Sequence, residues 1–212
     1  MLRKHYILVF IFITQHIVSQ HHKNSSLIND VISIKSEVLN ETRKIQIYLP
    51  PNYHKSQTKF PVLYVVDAQR YFLNGIAFQQ NLTWQNTIPE FIIVGIHTNN
   101  QKRRRLFDKN STKFIQFLEK ELIPKIKSDY NTLDETIYFG WEMAAGLGFE
   151  ILANKPHLFK GYLLSSPTFL TADREKALNK TLAEKKLTTQ RIYSVLGHKE
   201  SSYLYTFAKL KS

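Results

Sequence analysis

Three groups of residues in this chain are of the types that do chemistry. The first follows the apolar stretch Thr136-Ile137-Tyr138-Phe139, where the sequence reads Gly140-Trp141-Glu142-Met143-Ala144-Ala145-Gly146 and runs into an apolar helical pattern. Small residues on both sides of such a segment allow a tight strand-to-helix turn with close backbone approaches. A side chain at the apex of that turn is pushed forward, which suits a nucleophile. Here the apex carries the carboxylate of Glu142. The second group is Lys102-Arg103-Arg104-Arg105. It reads either as a gate for anionic ligands and a counter-charge for Glu142, or as a solvated charge run. The third is Trp141, whose ring can stack on a sugar or an aromatic acyl group or pack under the turn.

Other chemistry-bearing patterns are weaker. His21 and His22 next to Gln20 form a possible weak copper site, with a plain N-terminal tail as the simpler reading. Asn24, Asn40, Asn81, Asn110 and Asn179 each begin an N-x-[ST] triplet, which matters only in a eukaryotic export route. No P-loop, zinc spacing or dinucleotide fingerprint occurs, so neither a metal nor a cofactor is expected.

These residues must be positioned by alternating elements. Val31–Ile34 and Lys44–Leu49 alternate apolar with polar and read as strands with one wet face. Pro61–Asp67 and Phe91–Ile96 are continuous apolar runs, expected of strands buried on both faces of a parallel sheet. Ser111 to Asp129 has Phe114, Phe117, Leu118, Leu122 and Ile126 at helical spacing, with Ser111 or Thr112 as its cap and Pro124 as a kink or last turn. The elbow strand leads into a helix ending at Asn154. Gly161–Ser166 then reads as a strand, Ala172–Lys186 as an amphipathic helix and Arg191–Leu196 as a strand. Regular alternation of this kind predicts a doubly wound α/β sheet with the chemistry at the C-terminal ends of its strands. The positions to watch follow Val66, Ile96, Phe139, Ser166 and Leu196.

The composition fits one domain: 212 residues, 43% hydrophobic, with no repeat and no long linker. Arg3, Lys4 and His5 precede the apolar run Tyr6–Ile13, shorter than the roughly 20 residues of a membrane span. Residues 1–19 are therefore read as a secretory signal and 20–30 as a flexible segment. That places the protein outside the cell or in the periplasm, with an uncleaved anchor as the alternative. The chain has no cysteine, so no disulfide supports export. Its net charge is +12; losing residues 1–19 removes Arg3 and Lys4 and no acid, which leaves 27 bases against 17 acids. The bases are scattered, so no nucleic-acid partner is expected.

The stretches Arg43–Pro51, Phe60–Asp67, Ile88–Ile96, Phe114–Tyr130, Ile137–Gly146, Asn154–Tyr162 and Ser165–Pro167 occur in the order and spacing of an esterase family of α/β hydrolases. That family includes enterochelin esterases and S-formylglutathione-hydrolase-like enzymes, and the resemblance covers roughly residues 35 to 200. It implies an α/β-hydrolase fold over 31–212, mostly parallel with helices on both faces. It also implies carboxylic-ester hydrolysis of a siderophore, an acylated carbohydrate or another small ester. The elbow then corresponds to the G-x-S-x-G turn, with Glu142 at the serine's place. The Met143 N–H and the Ala68 N–H correspond to the oxyanion donors, and Glu200 to the acid of the triad. Trp141, Arg103 and Arg105 rim the expected ligand site. Arg105 stands where relatives carry the acid of an Arg-x-Arg-Asp pattern.

The triad histidine belongs one helix and one strand later than the sequence reaches by Ser212, so the domain is expected to be incomplete at its C-terminus. A carboxylate serves as nucleophile on this fold in haloalkane dehalogenases and epoxide hydrolases, which have an aspartate there. The other reading is a pseudo-enzyme that binds without turnover.

Overall fold

The computed structural model describes residues 28, 30–54, 58–168, 170–184, 187 and 189–197. Its centre is a seven-stranded sheet in the order β1-β2-β4-β3-β5-β6-β7. β1 (Asp30–Ser36) and β2 (Glu41–Tyr48) form an antiparallel hairpin, and β2 also runs antiparallel to β4 (Ile92–Ile96). From β4 onward the sheet is parallel: β3 (Phe60–Val66), β5 (Thr132–Trp141), β6 (Gly161–Ser165) and β7 (Arg191–Val195). β3 lies between β4 and β5. The chain therefore steps one way from β3 to β4 and back past β3 to reach β5. Such a switch in direction opens a crevice at the C-terminal ends of the strands.

The continuous apolar runs behave as their composition requires. All of β4 and all of β3 except Pro61 are buried, whereas β1 keeps one wet face. Helix α1 (Ala68–Trp84) covers one face, where Phe72 and Ile76 pack on Leu63, Val65 and Ile93. The larger core lies on the opposite face. There Phe114, Phe117, Leu122, Ile151 and Phe159 meet Tyr64, Tyr138, Tyr162 and Leu164. The helices on that face are α2 (Asn100–Arg104), α3 (Ser111–Phe117), α4 (Ile123–Asp129), α5 (Met143–Asn154) and α6 (Ala172–Ala183).

Several boundaries differ from the sequence reading. The segment Ser111–Asp129 is two helices joined by a wide π turn, Leu118–Leu122. Pro124 explains it: proline has no N–H for the carbonyl of Lys120, and a widened turn absorbs the missing bond while Pro124 opens α4. Neither Ser111 nor Thr112 caps α3. Asn110 holds the cap position without a side-chain bond, and the Ser111 hydroxyl donates to Glu150 Oε1 at 2.8 Å. The elbow strand is longer than its apolar letters and includes Gly140 and Trp141. The basic run 102–105 lies in α2 and in a second π turn, Arg105–Lys109. Helix α6 stops at Ala183. The proposed signal, His21 and His22, and Glu200 lie outside the described residues.

Candidate functional site

Three positions directly after parallel strands are held in the left-handed half of φ: Asp67, Glu142 and, after β6, Ser166 at φ 48°. Asp67, directly after β3, has φ 59° and ψ 44°; Glu142, directly after β5, has φ 55° and ψ −115°. For non-glycine residues such geometry costs about 1–3 kcal/mol, and it persists where surrounding bonds over-determine it. At Glu142 those bonds are visible. Its N–H donates to Ser165 O at 2.9 Å, and its carbonyl accepts from Gly146 N at 3.0 Å and Thr168 N at 3.1 Å. The flanking glycines make the turn possible. A Cβ on Gly140 would sit 2.5 Å from Ala144 O, and one on Gly146 would sit 1.9 Å from Thr168 O. Met143 and Ala68 are the first residues of α5 and α1, so their N–H groups have no acceptor within their own helices.

Arg103 joins Asp67 and Glu142. Its Nε donates to Asp67 Oδ2 at 2.8 Å, its Nη1 to Glu142 Oε2 at 2.6 Å and its Nη2 to Trp141 O at 3.0 Å. Arg103 is buried and Asp67 is fully buried, while the Glu142 side chain keeps 37% exposure. Burial works against the Arg103 charge. The hydrogen bonds and charges of Glu142 and Asp67 outweigh it, so its pKa lies above the ordinary guanidinium value. The rings of Trp141 and Phe107 lie 5.6 and 5.7 Å from the guanidinium carbon. Asp67 Oδ1 accepts from the Thr98 hydroxyl, and Thr98 exchanges two hydrogen bonds with Gln69. The chain Gln69–Thr98–Asp67–Arg103–Glu142 thus spans the crevice from the start of α1 to the start of α5.

The other predicted site residues are placed unevenly. Trp141 flanks Glu142 and meets the Tyr71 ring at 5.8 Å with the planes tilted by 55°, and the Arg70 guanidinium is 6.0 Å from its ring. Arg105 is not brought to the elbow: with Lys102 it turns to Glu41 on β2, at 3.4 and 3.2 Å. Within the run Arg103 is buried, and Lys102, Arg104 and Arg105 are exposed. Burial raises the Glu41 pKa, but the hydrogen bonds and charges of Lys102 and Arg43 bring it below the usual carboxylate value. Sequence reasoning quoted Asp67 only as the end of a strand and missed Thr98 and Gln69. The available signal was position, because Asp67 and Thr98 follow the C-terminal ends of β3 and β4.

Two cavities, of about 220 and 280 Å³, lie away from Glu142 along α5, where Glu150 and Asn154 line both. Glu150 is engaged there by Arg174 and Ser111.

A family described as Putative esterase matches residues 36–209. The uncharacterized protein YjcH of Bacillus subtilis is 26% identical over 62% of this chain and 58% of its own length. The chain thus spans less than two thirds of that relative. Among solved structures, an IroE-like serine hydrolase from Shewanella oneidensis superposes with a TM-score of 0.75. It is 22% identical, over 85% of this chain and 67% of that one. The enterobactin esterase FES from Shigella flexneri, solved in the presence of enterobactin, gives a TM-score of 0.64. It is 19% identical, over 77% of this chain and 44% of that one. At these identities the two structures share the fold.

Proposed function

The chain belongs to the Putative esterase family and is an ester hydrolase by descent, and from that premise we propose that it binds without hydrolysing. The observation that carries this reading is the 2.6 Å ion pair between Arg103 and the carboxylate at the serine's place. Two physical arguments support it. A carboxylate that attacked an ester would have to expel an alkoxide to form a mixed anhydride, and the alkoxide is by far the worse leaving group. Glu142 Oε2 is also already committed to a guanidinium, which lowers the nucleophilicity of the carboxylate.

In a working site the acyl group would lie between the apex side chain and the two N–H donors. The Arg103 guanidinium is bonded to the apex side chain and to Asp67, the residue next to Ala68. It therefore occupies the neighbourhood an acyl group would need. What remains is an aromatic wall of Trp141 and Tyr71 for a small ester-like or carbohydrate-like ligand. The FES structure solved with enterobactin makes a siderophore fragment the first ligand to try. Export through residues 1–19 belongs to the same reading and is checked by the N-terminal sequence of the protein recovered from its source.

A p-nitrophenyl acetate assay tests the proposal. Wild type and Glu142→Ala are expected to give the same rate, set by surface nucleophiles. Turnover in the wild type that Glu142→Ala abolishes would return the protein to the catalysts, with Glu142 as a carboxylate nucleophile.

A further inference from the structure

The guanidinium of Arg103 is held by three acceptors, and they are not equally tied. Asp67 is fully buried, and its carboxylate is bonded both to Arg103 and to the Thr98 hydroxyl. Trp141 O is part of the backbone of β5. Glu142 is the loosest of the three: among the described residues its carboxylate makes one hydrogen bond, from Arg103 to Oε2. Its backbone is pinned by Ser165 O, Gly146 N and Thr168 N. Two methylenes separate that backbone from the carboxylate, so side-chain rotation alone takes the carboxylate off Arg103. The guanidinium stays behind, because Asp67 and Trp141 O still hold it. Glu142 is thus an internal anion on a cation that is anchored independently of it.

We propose that Glu142 stands in for a ligand: the free carboxylate of a small organic acid displaces it and takes its place on Arg103. The inference rests on the reading of the site as one that binds without hydrolysing, and it names the class of molecule bound. A neutral ester has no charge to set against that of Glu142, so it leaves the ion pair where it is. The corresponding acid has that charge. A guanidinium carries five N–H donors, and Arg103 spends three of them, one on each acceptor. Glu142 takes one donor with one oxygen, whereas an untethered carboxylate is free to take two in the bidentate arrangement that guanidinium groups favour. Burial works against the Arg103 charge, so an anion that leaves must be replaced by another. The Trp141 ring, 5.6 Å from the guanidinium carbon, gives an acid with an aromatic body a second contact. Lys102 and Arg105 are poorer anchors, since both are exposed and share the Glu41 carboxylate. Free acids are what ester hydrolysis releases, so the ligand belongs to the product class of such a reaction and not to its substrates.

The test titrates the full chain with benzoate and, separately, with methyl benzoate, following the Trp141 indole and Arg103 Nε protons by NMR. Benzoate is expected to bind with a roughly millimolar Kd, as suits so small a molecule, and to shift both signals. Methyl benzoate has the same ring without the charge and is expected to bind at least about tenfold more weakly. Glu142→Ala removes the internal anion, so benzoate should bind it about fivefold more tightly than wild type, the weight of a partly screened ion pair. Because Arg103 also neutralises buried Asp67, the decisive variant is Glu142→Ala, with urea unfolding as the check that its fold persists. Equal binding of acid and ester, absence of binding, or benzoate affinity that Glu142→Ala leaves unchanged or lowers overturns the proposal. So does a benzoate affinity that falls in Arg105→Ala and is unmoved by Glu142→Ala, which would put the anion on the exposed cations. The esterase assay reads a different quantity. Hydrolysis that depends on Glu142 would sink the non-hydrolytic reading, whereas the carboxylate is decided by the titration alone.

Discussion

At the scale of single residues, the crevice is decided by which member of the cluster is buried. Asp67 is fully buried, and among the described residues Arg103 is the cation that pairs with it, whereas the Glu142 side chain reaches water. Arg103→Ala is therefore expected to cost about 3–5 kcal/mol, the range for breaking a buried pair from one side. Glu142→Gly should behave oppositely. It loses a partly screened ion pair worth about 1 kcal/mol or less, and it relieves a backbone at φ 55° that only glycine adopts freely. Urea unfolding of the two variants checks the contrast: Glu142→Gly within about 1 kcal/mol of wild type or more stable, Arg103→Ala far less stable. Equal losses would mean that Glu142, not Asp67, anchors the arginine. The elbow itself was legible in the sequence because small residues flank a single acidic letter. Its counter-ion was not, since a run of four bases gives no sign of which side chain turns inward. Packing against Trp141 and Phe107 makes that choice.

At the scale of elements, two backbone devices hold the site. The first is the close approach of α5 to the segment after β6. A Cβ on Gly146 would lie 1.9 Å from the carbonyl oxygen of Thr168, a backbone atom that cannot swing away. Gly146→Ala is expected to destabilise by about 2 kcal/mol or more and to lower the thermal midpoint accordingly. A neutral result would mean that the Pro167–Thr168 segment shifts easily. The second device ties the π turn to the end of α5 through Lys155 Nζ and Glu119 Oε1, 2.9 Å apart. The hydrogen bond from Lys155 holds the Glu119 carboxyl below its ordinary pKa. A depressed carboxylate adds stability above its unfolded pKa and loses it as pH falls through the folded one. Lys155→Met is thus expected to cost about 1 kcal/mol or less at pH 7 and almost nothing once the carboxyl is protonated, by denaturation at the two pH values. An unchanged cost in acid would assign the effect to packing of the lysine stem. Sequence periodicity found α5, α6 and the helical segment after residue 110. It could not resolve the π turns, because the spacing of Phe114, Phe117, Leu118 and Leu122 suits a continuous helix until the proline's missing N–H is weighed.

At the scale of the whole molecule, burial falls off along the sheet, and stability should follow it. β3 and β4 are covered on both faces, while four of the five residues of β7 are exposed and one of its edges has no strand beyond it among the described residues. Local opening is least costly where few apolar contacts must break. The amides of β7 are thus expected to exchange with solvent at least about a hundredfold faster than those of β3 and β4, by mass spectrometry of peptic fragments at neutral pH. The elbow lies on β5, between the two regimes, and its exchange should track β3 because Arg103 bridges the ends of both strands. If β7 exchanges as slowly as β3, its exposed side is covered in solution. Repeating the measurement with Tyr193→Glu then decides whether that cover rests on the exposed apolar side chains Leu163, Tyr193 and Val195.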